Sequence, residues 1–252
     1  MRRPLFILAA LVVVVAIMAI RLAPASIADV RLAQITDGGV RLNDTEGTVW
    51  DARGILAAGT ARIPVAWRID AWPLVRGEFR IHLAPSTGTV AGSSRAEMAI
   101  RGERLTLRDV QMTLPVDVLG AATGIGAAWI LGGDLDVNAT TLEWAPPSNH
   151  GGAQVRWHKA RLIYPGGNTS LDLGEVSLVL SAEGDRLSGP VSNDGGDLAI
   201  RGDVALRAAS GIQVSLVLVP RRADNRELAQ ALSILGPPEP GGWRLDWRLP
   251  LR

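Results

Sequence analysis

Beyond residue 30 the chain alternates apolar and polar side chains with a period of two, and this pattern constrains its fold more than any other feature. Successive side chains of a strand point to opposite faces, so each such run describes a strand with one buried and one solvated face. Ile63, Val65, Trp67 and Ile69 alternate with Arg62, Pro64, Ala66, Arg68 and Asp70, and Phe79, Ile81 and Leu83 alternate with Glu78, Arg80 and His82. These two runs read as a neighbouring pair. Leu198, Ile200, Val204 and Leu206 share one parity against Arg201, Asp203 and Arg207, as Trp243, Leu245, Trp247 and Leu249 do against Arg244, Asp246 and Arg248. The expected body is mainly β: an antiparallel sheet with one face buried.

Departures from the alternation carry their own expectations. Between Leu107 and Val110 the apolar parity switches, which predicts a β-bulge close to Arg108-Asp109. Val176 to Leu180 and Val214 to Val219 are almost continuously apolar, the pattern of strands covered on both faces or of edges that need protection. Gly38-Gly39, Gly132-Gly133, Pro146-Pro147, Gly151-Gly152, Pro165-Gly166-Gly167, Gly195-Gly196 and Gly241-Gly242 punctuate the runs and read as hairpin loops. Helical spacing is confined to two short segments. One runs from a cap at Asp224 or Asn225 through Leu228, Leu232 and Leu235 to Gly236-Pro237-Pro238, and a shorter one lies between Pro115 and Ala122.

The amino terminus is different in kind. After Met1-Arg2-Arg3-Pro4, residues 5–20 contain no polar side chain, and Arg21 closes the run. Leu5, Phe6, Ile7, Leu8, Leu11, Val12, Val13, Val14, Val15, Ile17, Met18 and Ile20 form the body of an expected membrane helix. With Leu22 and Ala23 added it reaches the short end of what crosses a hydrocarbon layer of about 30 Å. Arg2 and Arg3 hold the amino end in the cytoplasm and send the remainder across. Ala23-Pro24-Ala25 also has the small-x-small form of a signal-peptide cleavage site, and either reading exports the body. A run longer than the usual signal core, Arg21 beside the site and Pro24 within it favour a retained anchor. The expected organisation is an anchor at 1–23, a short linker at 24–30 and a periplasmic β domain at 31–252.

Composition narrows the chemistry. Lys plus Arg total 26 against 25 acids, a formal charge of +1 over 252 residues, so no global field gathers nucleic acid. There is no cysteine, which excludes disulfides, thiolate metal sites and a cysteine nucleophile. The three histidines, His82, His150 and His158, lack metal-ligand spacing. Nucleophile elbows, phosphate loops, dinucleotide fingerprints and calcium loops are absent, and Gly120 to Gly126 lacks the lysine and hydroxyl of a phosphate loop. Asp134 and Asp136 share a strand parity, which fits solvated charges better than a catalytic pair. Of the eight tryptophans, Trp67, Trp243 and Trp247 fall on apolar parities, where indole serves packing. No enzyme, cofactor or metal is expected.

One order of short motifs resembles a known family. After the apolar start come Gly47-Thr48-Val49-Trp50 with Gly54, then Trp67, Trp72-Pro73-Leu74 and Gly77. Leu142-Glu143-Trp144, the run Gly152 to Trp157 with Lys159-Ala160, Leu173-Gly174, Leu198 to Gly202, and Leu218-Val219-Pro220 follow, and Leu228, Leu232, Leu235-Gly236 and Gly242 close the series. This order resembles the protein N family of the bacterial type II secretion system. The resemblance implies a single-pass inner-membrane protein with its bulk in the periplasm, accessory to the export of folded proteins and without catalytic residues. Its implied partners are the inner membrane and other secretion components. Gly47, Trp50, Trp67, Trp72, Pro73, Gly77, Trp144, Trp157, Pro220 and Gly236 are then structural or docking positions. The chain is more distantly similar to exported β-proteins of the AsmA type, which implies an open, strongly bent sheet whose apolar groove accepts lipid.

Overall fold

The computed structural model describes residues 21–59, 61–85, 95–116, 130–163, 170–207, 210–222 and 239–249, together with Met18, Leu228 and Leu232. Among these residues the alternating runs form β1 (Val40–Thr48), β2 (Asp51–Ala58), β3 (Ala61–Ile69), β4 (Phe79–Pro85), β5 (Arg95–Arg101), β6 (Arg104–Pro115) and β7 (Ile130–Trp144). They continue as β8 (His150–Ile163), β9 (Ser170–Glu183), β10 (Arg186–Asp194), β11 (Leu198–Arg207), β12 (Gly211–Pro220) and β13 (Trp243–Leu249). All thirteen pair in sequence order in one sheet. Every pairing is antiparallel, so the chain is an uninterrupted meander. The expected pair of β3 and β4 is present, with Trp67 opposite Leu83 and Ile69 opposite Ile81.

Register decides which face each side chain takes, because residues directly opposite in an antiparallel pair share a face. Leu42 faces Leu56, Ile81 faces Met98, Met98 faces Leu107, and Met112 faces Val137. Across the second half Leu135 faces Trp157, Val155 faces Leu178, Leu178 faces Val191, Val204 faces Val214, and Leu216 faces Leu245. One face is therefore apolar from β1 to β13. It gathers into three clusters: one around Ala25, Ala52 and Trp67, one around Ala96, Val110, Ala139, Leu142 and Leu187, and one around Ala160, Leu173, Leu198, Ile200 and Leu218.

Such agreement over so many strands needs local corrections, and the bulges supply them. Asp109 takes φ 47°, and pairing jumps from Arg108 opposite Glu97 to Gln111 opposite Arg95, as the parity switch predicts. Asp44 at φ 49° and Lys159 at φ 50° occupy the register shifts of β1 and β8. Each bulge bends its strand and adds twist. Two glycine pairs expected in hairpin loops lie inside strands instead. Gly133, at φ 106°, sits at a register shift of β7, where an added Cβ would stand 2.2 Å from the carbonyl oxygen of His158. Gly151 in β8, at φ 91°, would place a Cβ 2.1 Å from the Thr141 oxygen. Here glycine marks close backbone approach rather than a turn. The two continuous apolar runs, in β9 and β12, are interior strands, and Val179 and Val219 leave their second face open to solvent.

Two helices are described, α1 (Ser26–Ile35) and α2 (Ala71–Leu74), neither of them among the helical segments expected from sequence. Leu228 and Leu232 of the expected later helix are helical and buried in the third cluster; the rest of that segment lies outside the described residues. The expected helix between Pro115 and Ala122 also falls largely outside them. Pro115 ends β6, and Val116 follows in a turn.

The sheet has two edges, and they are treated differently. Along β1, the Asp29 carboxylate of α1 accepts from the Leu42 amide at 2.8 Å and from the Arg41 guanidinium at 2.9 Å. The Thr36 hydroxyl accepts from the Val40 amide at 3.1 Å, and Pro24 bridges Thr48. Residues 24–36 thus cover the two ends of the β1 edge, at Val40 and Leu42 and at Gly47 and Thr48. Along β13, by contrast, nothing among the described residues pairs with the outer side.

On the apolar face of β10, an added Cβ at Gly189 would lie 1.7 Å from the Val179 oxygen. Gly189→Ala should therefore cost about 2–3 kcal/mol by overpacking. Gly184→Ala, at φ +60° with open space around it, should cost only about 1 kcal/mol of backbone strain. Equal urea midpoints for the two variants of the full chain would contradict this packing.

Candidate functional site

In a meander, alternate turns gather at the same end of the sheet. The turn after β1, the connection after β3 and the turn after β5 share the end at which residues 21–25 join. The Ala23 oxygen accepts from the Val49 amide at 2.8 Å, and the Ala25 amide donates to the Gly47 oxygen at 3.3 Å. Gly47 has φ 107°, and a Cβ there would lie 2.5 Å from the Asp51 oxygen, so this turn requires glycine. Trp67 lies beneath it, 6% exposed, and its indole N–H donates to the Val49 oxygen at 3.1 Å. The Trp50 oxygen accepts from the Ile69 amide at 2.7 Å, which ties the turn to the next connection.

That connection, residues 70–78, folds back on itself. The Gly77 amide donates to the Leu74 oxygen at 3.0 Å and the Glu78 amide to the Pro73 oxygen at 3.1 Å, with Gly77 at φ 72°. Trp72 projects outward, 69% exposed, with the Arg76 guanidinium 5.8 Å from its ring centroid. Six of the family positions therefore assemble at one end: Gly47, Trp50, Trp67, Trp72, Pro73 and Gly77. Trp67 is core, as its apolar strand parity predicts, and Trp72 is surface.

The remaining positions are dispersed. Trp144 ends β7 opposite Leu105 and packs against the second cluster. Trp157 of β8 donates from its indole to the Gly132 oxygen at 2.9 Å, and Pro220 closes β12 opposite Leu198. Gly236 lies outside the described residues. So do the anchor residues Leu5, Phe6, Ile7, Leu8, Leu11, Val12, Val13, Val14, Val15, Ile17 and Ile20; Met18 is helical and exposed. Among the described residues, no helix is long and apolar enough to cross a membrane.

The polar face carries cross-strand charge. Glu97 lies 3.6 Å from Arg80 and 3.9 Å from Arg108, and His82 stands 3.1 Å from Asp70. Asp136 of β7 accepts from the Thr113 hydroxyl at 2.7 Å and lies 2.9 Å from His158 Nε2, while His158 Nδ1 meets Glu175 of β9. One carboxylate, Asp136, thus ties the Thr113 hydroxyl of β6 to the His158 imidazole of β8. Among the described residues no group of side chains is arranged to hold a metal ion. Asp134 and Asp136 do not act together, since only Asp136 joins the histidine. Sequence spacing could not reveal the cluster, whose members lie on four strands and meet only through register. Asp29 and Thr36, which cover one end of the β1 edge, were likewise invisible before the helix was placed.

Burial, the largest single influence on His158, pushes its pKa down, but its contacts with Asp136 and Glu175 outweigh that and hold it above the ordinary 6.5. The Thr113 hydroxyl, with smaller help from His158, holds Asp136 below its ordinary range. The imidazolium thus stabilises the fold fully below pH 6.5, and this contribution is lost as pH rises through the raised folded value. Urea midpoints of the wild-type chain should fall more than those of His158→Gln between about pH 6 and 8. Superimposable profiles would contradict the assignment.

A family model described as "Type II secretion system (T2SS), protein N" matches residues 38–245, from the start of β1 into β13. No curated protein and no solved structure matched. The matched span takes in β1 to β12, the first three residues of β13 and the end at which Gly47, Trp50, Trp67 and Trp72 assemble, and the chain belongs to the protein N family of the type II secretion system.

Proposed function

We propose that this protein is an accessory inner-membrane component of the type II secretion system that serves the export of folded proteins across the outer membrane by docking, without catalysis. The observation that carries the reading is the family match over residues 38–245. The apolar run at residues 5–20, with Arg2 and Arg3 before it, supports a single crossing with the sheet in the periplasm. The asymmetry of the edges supports a route for docking. With both ends of the β1 edge covered by residues 24–36, a partner strand would add to β13, where main-chain groups face outward and Trp247 is 42% exposed on the apolar face.

Deleting the gene should strand exoproteins in the periplasm, and the wild-type gene should restore them to the supernatant. Trp247→Asp should fail to restore them while changing the stability of the chain by no more than about 1 kcal/mol. Full complementation by this variant would contradict docking at β13, and normal secretion in the deletion strain would contradict the secretion role itself.

A second reading rests on the apolar face. Thirteen strands present it without interruption, and most of its large side chains are only partly buried, which supports an AsmA-like groove for lipid. On this reading, phospholipid or lipopolysaccharide should co-purify with the full chain in stoichiometric amount. A chain free of lipid after mild detergent extraction would count against it.

A further inference from the structure

The exposed end of the β3–β4 connection is apolar where a soluble loop would be polar. Trp72, Leu74 and Val75 stand 69%, 37% and 78% exposed, with Arg76 over the Trp72 ring. Their exposure is fixed by structure, because the backbone bonds from Gly77 and Glu78 to Leu74 and Pro73 lock the connection in place. Trp67, which belongs to the same set of motifs, is buried, so core packing does not account for Trp72.

The position of this patch indicates what covers it. Residues 70–78 follow β3, whose end pairs with the start of β2, and the turn between β1 and β2 is the one bonded to Ala23 and Ala25. Immediately upstream, Leu22 closes a helical turn on the Met18 oxygen at 2.9 Å, and Met18 and Leu22 are 60% and 71% exposed. Residues 21–25, which follow the apolar run in sequence, thus join the body at the same end as the patch. Tryptophan, with a neighbouring arginine and two aliphatic side chains, is the composition favoured at the level of lipid headgroups, where indole spans the apolar and polar layers and guanidinium meets phosphate.

We infer that Trp72, Leu74, Val75 and Arg76 form a second membrane contact that rests in the headgroup layer of the bilayer entered by residues 5–20. This inference rests on the anchored reading given above. Two contacts fix orientation where one leaves a body free to swivel, so the patch would set the sheet's strands at a defined tilt to the membrane and keep β13 in a constant position for partners.

The absence of cysteine makes a direct test available. Val75→Cys, labelled with an environment-sensitive fluorophore, is compared with Val219→Cys, at the opposite end of the sheet, in the full chain reconstituted into phosphatidylethanolamine–phosphatidylglycerol vesicles. The label at 75 should be blue-shifted and severalfold less quenched by aqueous iodide than the label at 219, and spin-labelled lipid should quench it. Adding Trp72→Ser to Val75→Cys should restore iodide access. A chain retained through alkaline carbonate extraction with equal iodide quenching at both positions would overturn the inference alone. A chain stripped by carbonate would overturn the anchored reading and this inference with it. Shielding at 75 in cells but not in lipid vesicles would assign the patch to a protein neighbour and also overturn it.

Discussion

Everything in this molecule depends on keeping one apolar parity in phase through the twelve consecutive antiparallel pairings of thirteen strands. A single slip by one residue would turn a whole strand's apolar set to the solvated face. The bulges at Asp44, Asp109 and Lys159 absorb the places where the sequence itself slips, each by a residue at positive φ that occupies space without taking part in the ladder. Glycine plays the complementary part at Gly133, Gly151 and Gly189, where neighbouring backbone comes closer than a side chain allows. Bends and alignment therefore come from the same few positions.

An open sheet of this length has two consequences beyond its core. Its edges need management, and the chain manages one of them. Asp29 and Thr36 give α1 the acceptors that β1 amides need, and the Arg41 guanidinium keeps the Asp29 carboxyl well below its ordinary range, so the contact persists over the physiological pH range. The other consequence is a broad apolar face on which many large side chains, Trp157, Leu178 and Val204 among them, stay only partly buried.

The sequence made much of this legible and hid the rest for physical reasons. Alternation identified the strands around Trp67, Phe79, Leu198 and Trp243, and the parity switch located the bulge at Asp109. Local patterns could not separate a loop glycine from one that lies within a strand, as Gly132-Gly133 and Gly151-Gly152 show, because both uses relieve the same steric restriction. Short α1 went unseen because it is held by Asp29 and Thr36 bonding to β1, contacts that depend on the folded edge. Strand parity marked Trp67 as a core indole, whereas Trp72 lies in a short helix between strands, where no alternation could assign its exposure. The cluster of Thr113, Asp136, His158 and Glu175 joins residues far apart in sequence, so no spacing rule could have assembled it.

The central claim is that, among the described residues, one edge of the sheet is covered from within and the other is not. Residue-resolved hydrogen exchange of the full chain tests it directly. The account predicts that the Val40 and Leu42 amides, held by Thr36 and Asp29, exchange as slowly as those of interior strands such as β11, while alternate amides of β13 exchange rapidly. Fast exchange at Val40 and Leu42, or uniform protection along β13 in the isolated chain, would contradict it.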